Sequence, residues 1–468
     1  MKKPRSVAGG LLLLLLGILI SGGASGCAFD RPRDPQPDGT LRLPGALGTS
    51  GDGRLLYVVG TNFDAQYGTG ALQAYDLEFC DTAINGAAIW PVSIDPADAI
   101  VGEVQIGSFG GQLARGTNAS GGERLFVPLR GTGTVAAVDV DATTGALRCV
   151  LPEGTSAGEI GAACDRVEVA LELPNGNLVD DPYGAVAAGE HLWVSSLTSQ
   201  FVDPEDPEGE VASYFARLGV DAPVEPTILS ANRMMPRELR LDQYGRIWAV
   251  GQAVSGSSAM AELRVYDPAS FALGLEGARN FSIAGAAGGG EARGLRFSTD
   301  GEFLYVITRR PDRLLIFGRS GSFGTESLTL RGSVSLPSSP AALERLSRPA
   351  PLGDLVVVTG NDPDALVVID PQLQEIVGLL DGTHCDASGV CPQGSRRAGE
   401  RAAVRDPGER PFGVLAVPQA SGYRLWVSTF GLASTEAGGL LAIDLRDPAR
   451  PWELTVVAEI ATPVEEAE

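Results

Sequence analysis

Lysine is almost missing from this chain: its two copies, Lys2 and Lys3, precede the first apolar run, so arginine supplies all strong positive charge beyond it. Schiff-base and lysine general-base chemistry are thereby excluded. Histidine is as scarce, with His191 and His384 far apart among 468 residues, which removes multi-histidine metal catalysis. Bulk positive charge is lacking too. A formal net charge of −22 argues against holding a nucleic-acid backbone or an anionic lipid surface by long-range attraction. Long runs with apolar residues at helical spacing are absent, whereas glycine and proline are abundant and β-branched residues arrive in short bursts, as in an all-β chain.

The first residues, "MKKPRSVAGGLLLLLLGILISGGASGC", combine a basic start with an apolar run too short and too closely followed by small residues for a stable span, which predicts an export signal over 1–26. Ala24-Ser25-Gly26-Cys27 resembles the bacterial lipobox, which implies lipidation of Cys27 and, with Ala28 after it, retention in the outer membrane. Ordinary cleavage near the small residues is the alternative. The charged, proline-rich stretch over 27–40 reads as a tether.

From residue 41 to 463 one pattern recurs: a glycine or polar turn, then apolar positions around a central residue. The copies are "GDGRLLYVVG", "GGERLFVPL", "AGEHLWVSSL", "QYGRIWAVG", "DGEFLYVIT", "LGDLVVVTG" and "SGYRLWVST", centred on Tyr57, Phe126, Trp193, Trp248, Tyr305, Val357 and Trp426. Most are followed by a second strand ending near an aspartate, as in "ALVVIDPQL", and several are preceded by one such as "DPYGAVAAG", "MPRELRLDQ", "EARGLRFSTD" or "RPFGVLAVPQ". A fourth, outer strand is predicted in "VGEVQIG", "ARNFSIAG", "LRGSVSLP" and "ELTVVAEI". Four short antiparallel strands in fixed order describe a β-propeller blade. Blades are expected near 41–106, 107–150, 180–232, 233–285, 290–336, 338–382 and 408–462, followed by an acidic tail over 464–468. Two separate all-β domains are the alternative.

"LYVVGTN", "LYVITRR" and "LVVVTGNDPDALVVIDPQ" resemble the repeats of YVTN-type propellers, which implies seven four-stranded blades around a channel. In such propellers the loops entering the innermost strand and those linking the second and third strands gather at the channel mouth, where ligands bind. Mapped onto this sequence, the resemblance selects Arg115, Asp181, Arg237, Glu238, Glu291, Arg293, Glu409 and Arg410 at strand starts, and Arg309, Arg310, Asn361 and Asp362 at middle turns. Alternating arginine and carboxylate suit an anionic ligand or a partner's polar surface. The plainer reading is mutual pairing that closes the channel.

Cys149 with Cys164, and Cys385 with Cys391, are near neighbours that most simply close two disulfide loops, leaving Cys80 over as a buried thiol or as a residue that shifts the pairing. His384, Cys385 and Cys391 fall short of the four ligands of a structural zinc site. "GTSAG" around Ser156 has hydrolase-elbow spacing without the strand and helix that chemistry needs. "GTGTVA" from Gly131 leads into a strand rather than a helix, so it reads as a hairpin turn. "DVDATTG" lacks the glycine and glutamate of a calcium loop, since Thr144 and Val150 stand there. The acidic insertion with Asp203, Glu205, Asp206, Glu208 and Glu210 is the best calcium candidate, against a solvated loop; no other cofactor is expected.

The expected function is a lipid-anchored, monomeric propeller of the cell envelope, non-catalytic, that meets an envelope protein, a polymer or a ligand. A lactonase-like hydrolase and a small-ligand or calcium-binding propeller are the alternatives.

Overall fold

Leu55–Gly60, "LLYVVG", is buried along its whole length. A strand with one solvated face would alternate polar and apolar side chains, so an uninterrupted buried run means that both faces are covered. Tyr57 packs forward with Leu125, Val127 and Val138 of the next repeat, while Leu56 and Val58 pack backward with Trp426 and Leu440 of the last. Each central residue behaves alike. Phe126, Trp193, Trp248, Tyr305 and Val357 are buried and face the following sheet, and Trp426 faces the first, so the repeats must close into a ring.

The structure, a computed structural model, describes residues 34–462 except 64–65, 152–162, 174, 198–199, 202–210, 224, 232, 256–257, 269–277, 323, 363, 382–408 and 432–437. Seven antiparallel sheets, each led by its own inner strand, form a seven-bladed β-propeller. The inner strands are Pro44–Thr49, Ala114–Thr117, Pro182–Ala188, Met234–Leu241, Glu291–Phe297, Pro340–Leu346 and Glu409–Gln419. Among the described residues no helix is long and apolar enough to cross a membrane.

The aspartate that ends several third strands has a structural task. Asp139 and Asp444 sit directly across from Arg124 and Arg424 of the second strand and form ion pairs with them at 2.6 and 2.8 Å. Such cross-strand pairs stabilise the blade edge.

Closure between the seventh and first blades uses a device that the repeats do not announce. Between its third and fourth strands the first blade sends out Leu77–Gly86, a helix capped by the Asp76 carboxylate, and then Val92–Ile94, which pairs in parallel with Leu454–Ile460 of the seventh blade. Leu77, Cys80 and Ile84, at helical spacing, enter the cluster that holds Trp426. Asp81 of the same helix pairs with Arg424, and Arg446 lies 4.4 Å over the Trp90 ring. Cys80 is a buried free thiol whose pKa burial pushes up to about 12, so it is chemically quiet. Cys149 and Cys164 form the expected disulfide. Cys27, Ser156, the acidic insertion and the His384, Cys385, Cys391 group lie outside the described residues.

Candidate channel-mouth site

The inner strands are irregular at one shared level, six of them within the strand and the second just before it, between the Gly110–Leu129 bridge and Ala114. The pairing register slips between Pro44 and Leu47, Pro182 and Gly184, Pro236 and Glu238, Ala292 and Gly294, Pro340 and Ala342, and Pro411 and Val414. A bulge leaves an extra residue unpaired and re-aims its side chain. Tyr183, Arg237, Arg293, Ala341 and Phe412 are the residues so released, and all five line a cavity of about 110 Å³ on the propeller axis. Hydroxyl groups from the second strands fix the bulges. Ser428 Oγ accepts from Gly413 N at 2.7 Å and donates to Gly45 O at 3.0 Å, and Thr359 Oγ1 accepts from Ala342 N at 3.1 Å and donates to Phe412 O at 2.8 Å. Each hydroxyl thus joins its own inner strand to the next one.

The mouth above the bulges is built under backbone strain. Leu43, Asn62, Phe109, Asp181, Arg233 and Arg310 in loops, and Arg410 at the start of its strand, all have left-handed φ values at this end, whereas Gln374 is the one such described non-glycine residue elsewhere. Left-handed conformations in non-glycine residues cost of order 1 kcal/mol each and tend to gather at binding sites.

An upper ring of charge lies here. Arg130 Nε is 2.8 Å from Asp181 Oδ1, with its guanidinium 5.9 Å over the Tyr183 ring. Arg237 Nε and Arg293 Nε approach the same oxygen, Glu291 Oε1, at 2.8 and 2.7 Å. Both Nε atoms are buried, yet neither N–H is aimed at that oxygen; the aligned contact of the group is a single one, from Arg293 Nη2 to Glu291 Oε2 at 3.2 Å. Arg309 donates to Pro340 O at 2.8 Å and to Asn361 Oδ1 at 3.3 Å. Burial and then the Arg293 guanidinium bring Arg309 down to about 10, and the same two causes lower Arg237. Burial pushes the Tyr183 phenol up. Four guanidinium groups therefore share two carboxylates in a protein of strongly negative net charge, with Asp312 acting on Arg309 from the adjoining turn.

One step down the same strands lies a lower ring. Glu238 Oε1 is 2.6 Å from Arg240 and 2.7 Å from Arg296, its Oε2 accepts from Leu295 N at 2.8 Å, and Arg296 continues to Glu344 at 3.3 Å. Burial raises the Glu238 carboxyl, but Arg240, Arg296 and the Leu295 N–H outweigh it and leave the group below the usual range. Gln112 closes the other side: its Oε1 accepts from Leu239 N at 3.1 Å and its Nε2 donates to Leu239 O at 2.9 Å. Two cations and two anions balance at this level.

Of the residues selected from sequence, the structure gathers Asp181, Arg237, Glu291, Arg293, Arg309 and Asn361 in the upper ring and places Glu238 in the lower. Arg310, Asp362 and Arg410 are exposed on the rim, where Arg410 N donates to Asp364 Oδ1 at 2.8 Å. The Glu409 side chain lies outside the described residues. Arg115 is a correction. Its inner strand begins earlier, at the Gly110–Leu129 bridge, so Arg115 falls near the opposite end, bonded to Thr49 O at 2.8 Å and 3.7 Å from Glu123. His191 is also at that end, in the hairpin after Ala188 and against Trp193.

Sequence reasoning missed Arg130, Tyr183, Phe412 and the lower-ring residues Arg240, Arg296 and Glu344. It also missed an aromatic wall: Phe412 stacks on Phe430 at 4.9 Å, Phe430 meets Phe63 at 5.5 Å, and Phe63 meets Phe109 at 5.6 Å. A signal existed, since "PYG", "PRE", "ARG", "PAA" and "PFG" place the released residue in the middle of a short triplet near the start of each inner strand.

A larger cleft of about 990 Å³ lies between the fifth and sixth blades at the opposite end. Several of its charges are satisfied within the fold: Arg319 pairs with Asp242 and covers Trp248, Arg348 pairs with Asp370, and Asp354 accepts from Thr299. Size alone does not make it the site.

No family model matches the sequence, and no curated protein does so significantly. Solved structures match by shape. The chain is similar to Kuenenia stuttgartiensis hydrazine synthase at 11% identity and a TM-score of 0.50, covering 88% of this chain and 98% of that one. It is also similar to the Myceliophteria thermophila Cps50 (Swd1) β-propeller domain at 12% identity and a TM-score of 0.49, covering 86% and 97%. A periplasmic gluconolactonase of Pseudomonas aeruginosa matches at 19% identity and a TM-score of 0.42, covering 72% and 84%. At these identities the likeness concerns the propeller fold.

Proposed function

We propose that the protein is an exported propeller, anchored through Cys27 in the outer membrane as a monomer, that binds a small organic anion at the channel mouth without transforming it. The observation that carries this reading is the unaligned pair of buried guanidinium Nε atoms, Arg237 and Arg293, crowded on one carboxylate. A ligand carboxylate or phosphate would give them the forked, charge-assisted partners for which arginine is suited.

Binding without turnover follows from what surrounds that place. Asp181 and Glu291 are held by arginine, the Tyr183 phenol is pushed up by burial, and His191 is at the far end, so among the described residues the upper ring presents no free acid–base pair. The exposed Arg310, Asp362 and Arg410 form the rim that an envelope protein or polymer would meet.

Calorimetric titration of the purified full-length chain with inorganic phosphate and with acetate tests the reading. Saturable binding that falls about tenfold or more in Arg293→Gln is expected. Absence of binding by either anion, or lactone hydrolysis lost in Glu291→Gln, would overturn it. Palmitate labelling in cells, abolished in Cys27→Ser, is expected for the anchor.

A further inference from the structure

Resting on the anion-binding reading, we infer that the anion is the head of a flat, apolar or aromatic molecule, whose body lies against Phe412 and Phe430 while its charged end reaches Arg237 and Arg293. The size of the axial cavity is the first reason. At about 110 Å³ it is small beside the roughly 300–1,000 Å³ of pockets that enclose a whole drug-sized ligand, so it suits a compact carboxylate or phosphate head. The lower-ring side chains Glu238, Arg240 and Arg296 line the same cavity. Whatever carries the head must remain in the mouth.

The second reason is the asymmetry of that mouth. Arg237 and Arg293 come from the fourth and fifth blades, and Arg309 stands at the middle turn of the fifth. Across the ring, the seventh, first and second blades supply Phe412 and Phe430, then Phe63, then Phe109, joined in one chain of ring contacts. None of these four rings is fully buried, unlike the central aromatics of the repeats. Phe412 and the two arginines line the same cavity. Partly exposed rings beside a polar anchor are the pattern of a pocket that takes an amphiphilic ligand, burying its flat face and orienting it by the charge.

A phosphate ion or a short aliphatic acid would use half of this surface. A neutral aromatic molecule would use the other half and leave the guanidinium groups as they are. An aryl carboxylate engages both, and its two contributions add because they come from opposite sides of the mouth.

The probes are 2-naphthoate, its neutral isostere naphthalene-2-carboxamide, acetate and inorganic phosphate, titrated calorimetrically into the full-length protein at low salt. We expect 2-naphthoate to bind at least about tenfold more tightly than acetate and than the carboxamide. Phe412→Leu and Phe430→Leu should each weaken 2-naphthoate by about fivefold and leave phosphate unchanged, whereas Arg293→Gln should weaken both anions; far-ultraviolet circular dichroism checks that each variant keeps its sheet content. If 2-naphthoate binds no better than acetate, the inference fails and the anion site stands. Equal binding of acid and carboxamide, or loss of phosphate in the phenylalanine variants, overturns the inference as well. If neither phosphate nor acetate binds, the underlying reading falls with it.

Discussion

The two charged rings of the channel are built from the same kinds of side chain, with Arg237 and Arg240 on one inner strand and Arg293 and Arg296 on the next, and they have opposite characters. In the lower ring Glu238 is met by Arg240 and Arg296 with aligned contacts, takes a backbone N–H from Leu295, and is balanced by Glu344. In the upper ring neither Arg237 Nε nor Arg293 Nε is aimed at Glu291, whose one side-chain hydrogen bond comes from Arg293 Nη2 at 3.2 Å, and Arg309 finds a carbonyl and an amide instead of a carboxylate. Composition alone does not separate structure from site here. Alignment and balance do: a buried charge group fully met by the fold holds the fold, and one incompletely met has capacity left for something that arrives.

The largest effect should come from the lower ring. Glu238→Ala would leave Arg240 and Arg296 facing each other with Glu344 alone, and removing one member of a buried ion cluster costs about 3 kcal/mol. Urea denaturation should show that loss, while phosphate affinity of the folded variant stays within about twofold of the parent. A comparable loss of affinity would mean that the two rings act as one.

A third carboxylate sharpens the contrast because arginine plays no part in it. Glu168 accepts from Gly107 N at 2.6 Å and from Thr134 Oγ1 at 2.6 Å, and burial raises its carboxyl to about 7, with Asp165 adding a little. The native state keeps this proton up to about pH 7, whereas the unfolded chain releases it near the ordinary glutamate value of 4.5. Native protein therefore binds more protons in that window, and its stability falls as pH rises from about 4.5 to about 7. Glu168→Gln should flatten that slope and be more stable than the parent by of order 2 kcal/mol above pH 7, with little difference below pH 4.5. Denaturation midpoints measured across that range check it.

The fold was legible because its physics is repetitive. A strand such as "LYVIT" buried on both faces has no polar interruption, so seven such runs stand out in a chain that lacks helical spacing. The mouth was partly legible for the same reason, since positions at strand starts and middle turns follow from the repeat: Arg237, Glu291, Arg293 and Arg309 were found this way. Tyr183 and Phe412 were passed over because only charge was sought, although they share the column of Arg237. Arg240, Arg296 and Glu344 were hidden for another reason. Arg296 meets Glu238 and Glu344 on the blades to either side, a pairing that spacing within one strand does not reveal, whereas the Arg240–Glu238 pair, two residues apart on one strand, was passed over. The clasp was readable in part, since Asp76 caps a stretch with Leu77, Cys80 and Ile84 on one face, but its parallel pairing with the last strand was not.

Within the upper ring the comparison turns on Glu291, whose removal should act in the direction opposite to Glu238. Glu291→Gln frees Arg237 and Arg293 from a competing anion, so phosphate affinity should rise by roughly threefold to tenfold, with a stability cost near 1 kcal/mol because both Nε contacts are unaligned and only the 3.2 Å bond from Arg293 Nη2 is at stake. Weakened phosphate binding would show that Glu291 positions the arginines and does not compete for them.

The smallest effect belongs to Arg115, the arginine that lies at the other end of the channel. Its side chain is 46% exposed, its distance to Glu123 is 3.7 Å, and its shortest contact is to the Thr49 carbonyl at 2.8 Å. Exposed pairs of this kind contribute about 0–1 kcal/mol and are screened by salt. Arg115→Ala should therefore shift stability by less than about 0.5 kcal/mol and leave binding of phosphate and of 2-naphthoate unchanged. That makes it the control for long-range electrostatics: if deleting this one positive charge weakened anion binding as Arg293→Gln does, the field of the whole protein, and not the geometry of the upper ring, would be what holds the ligand.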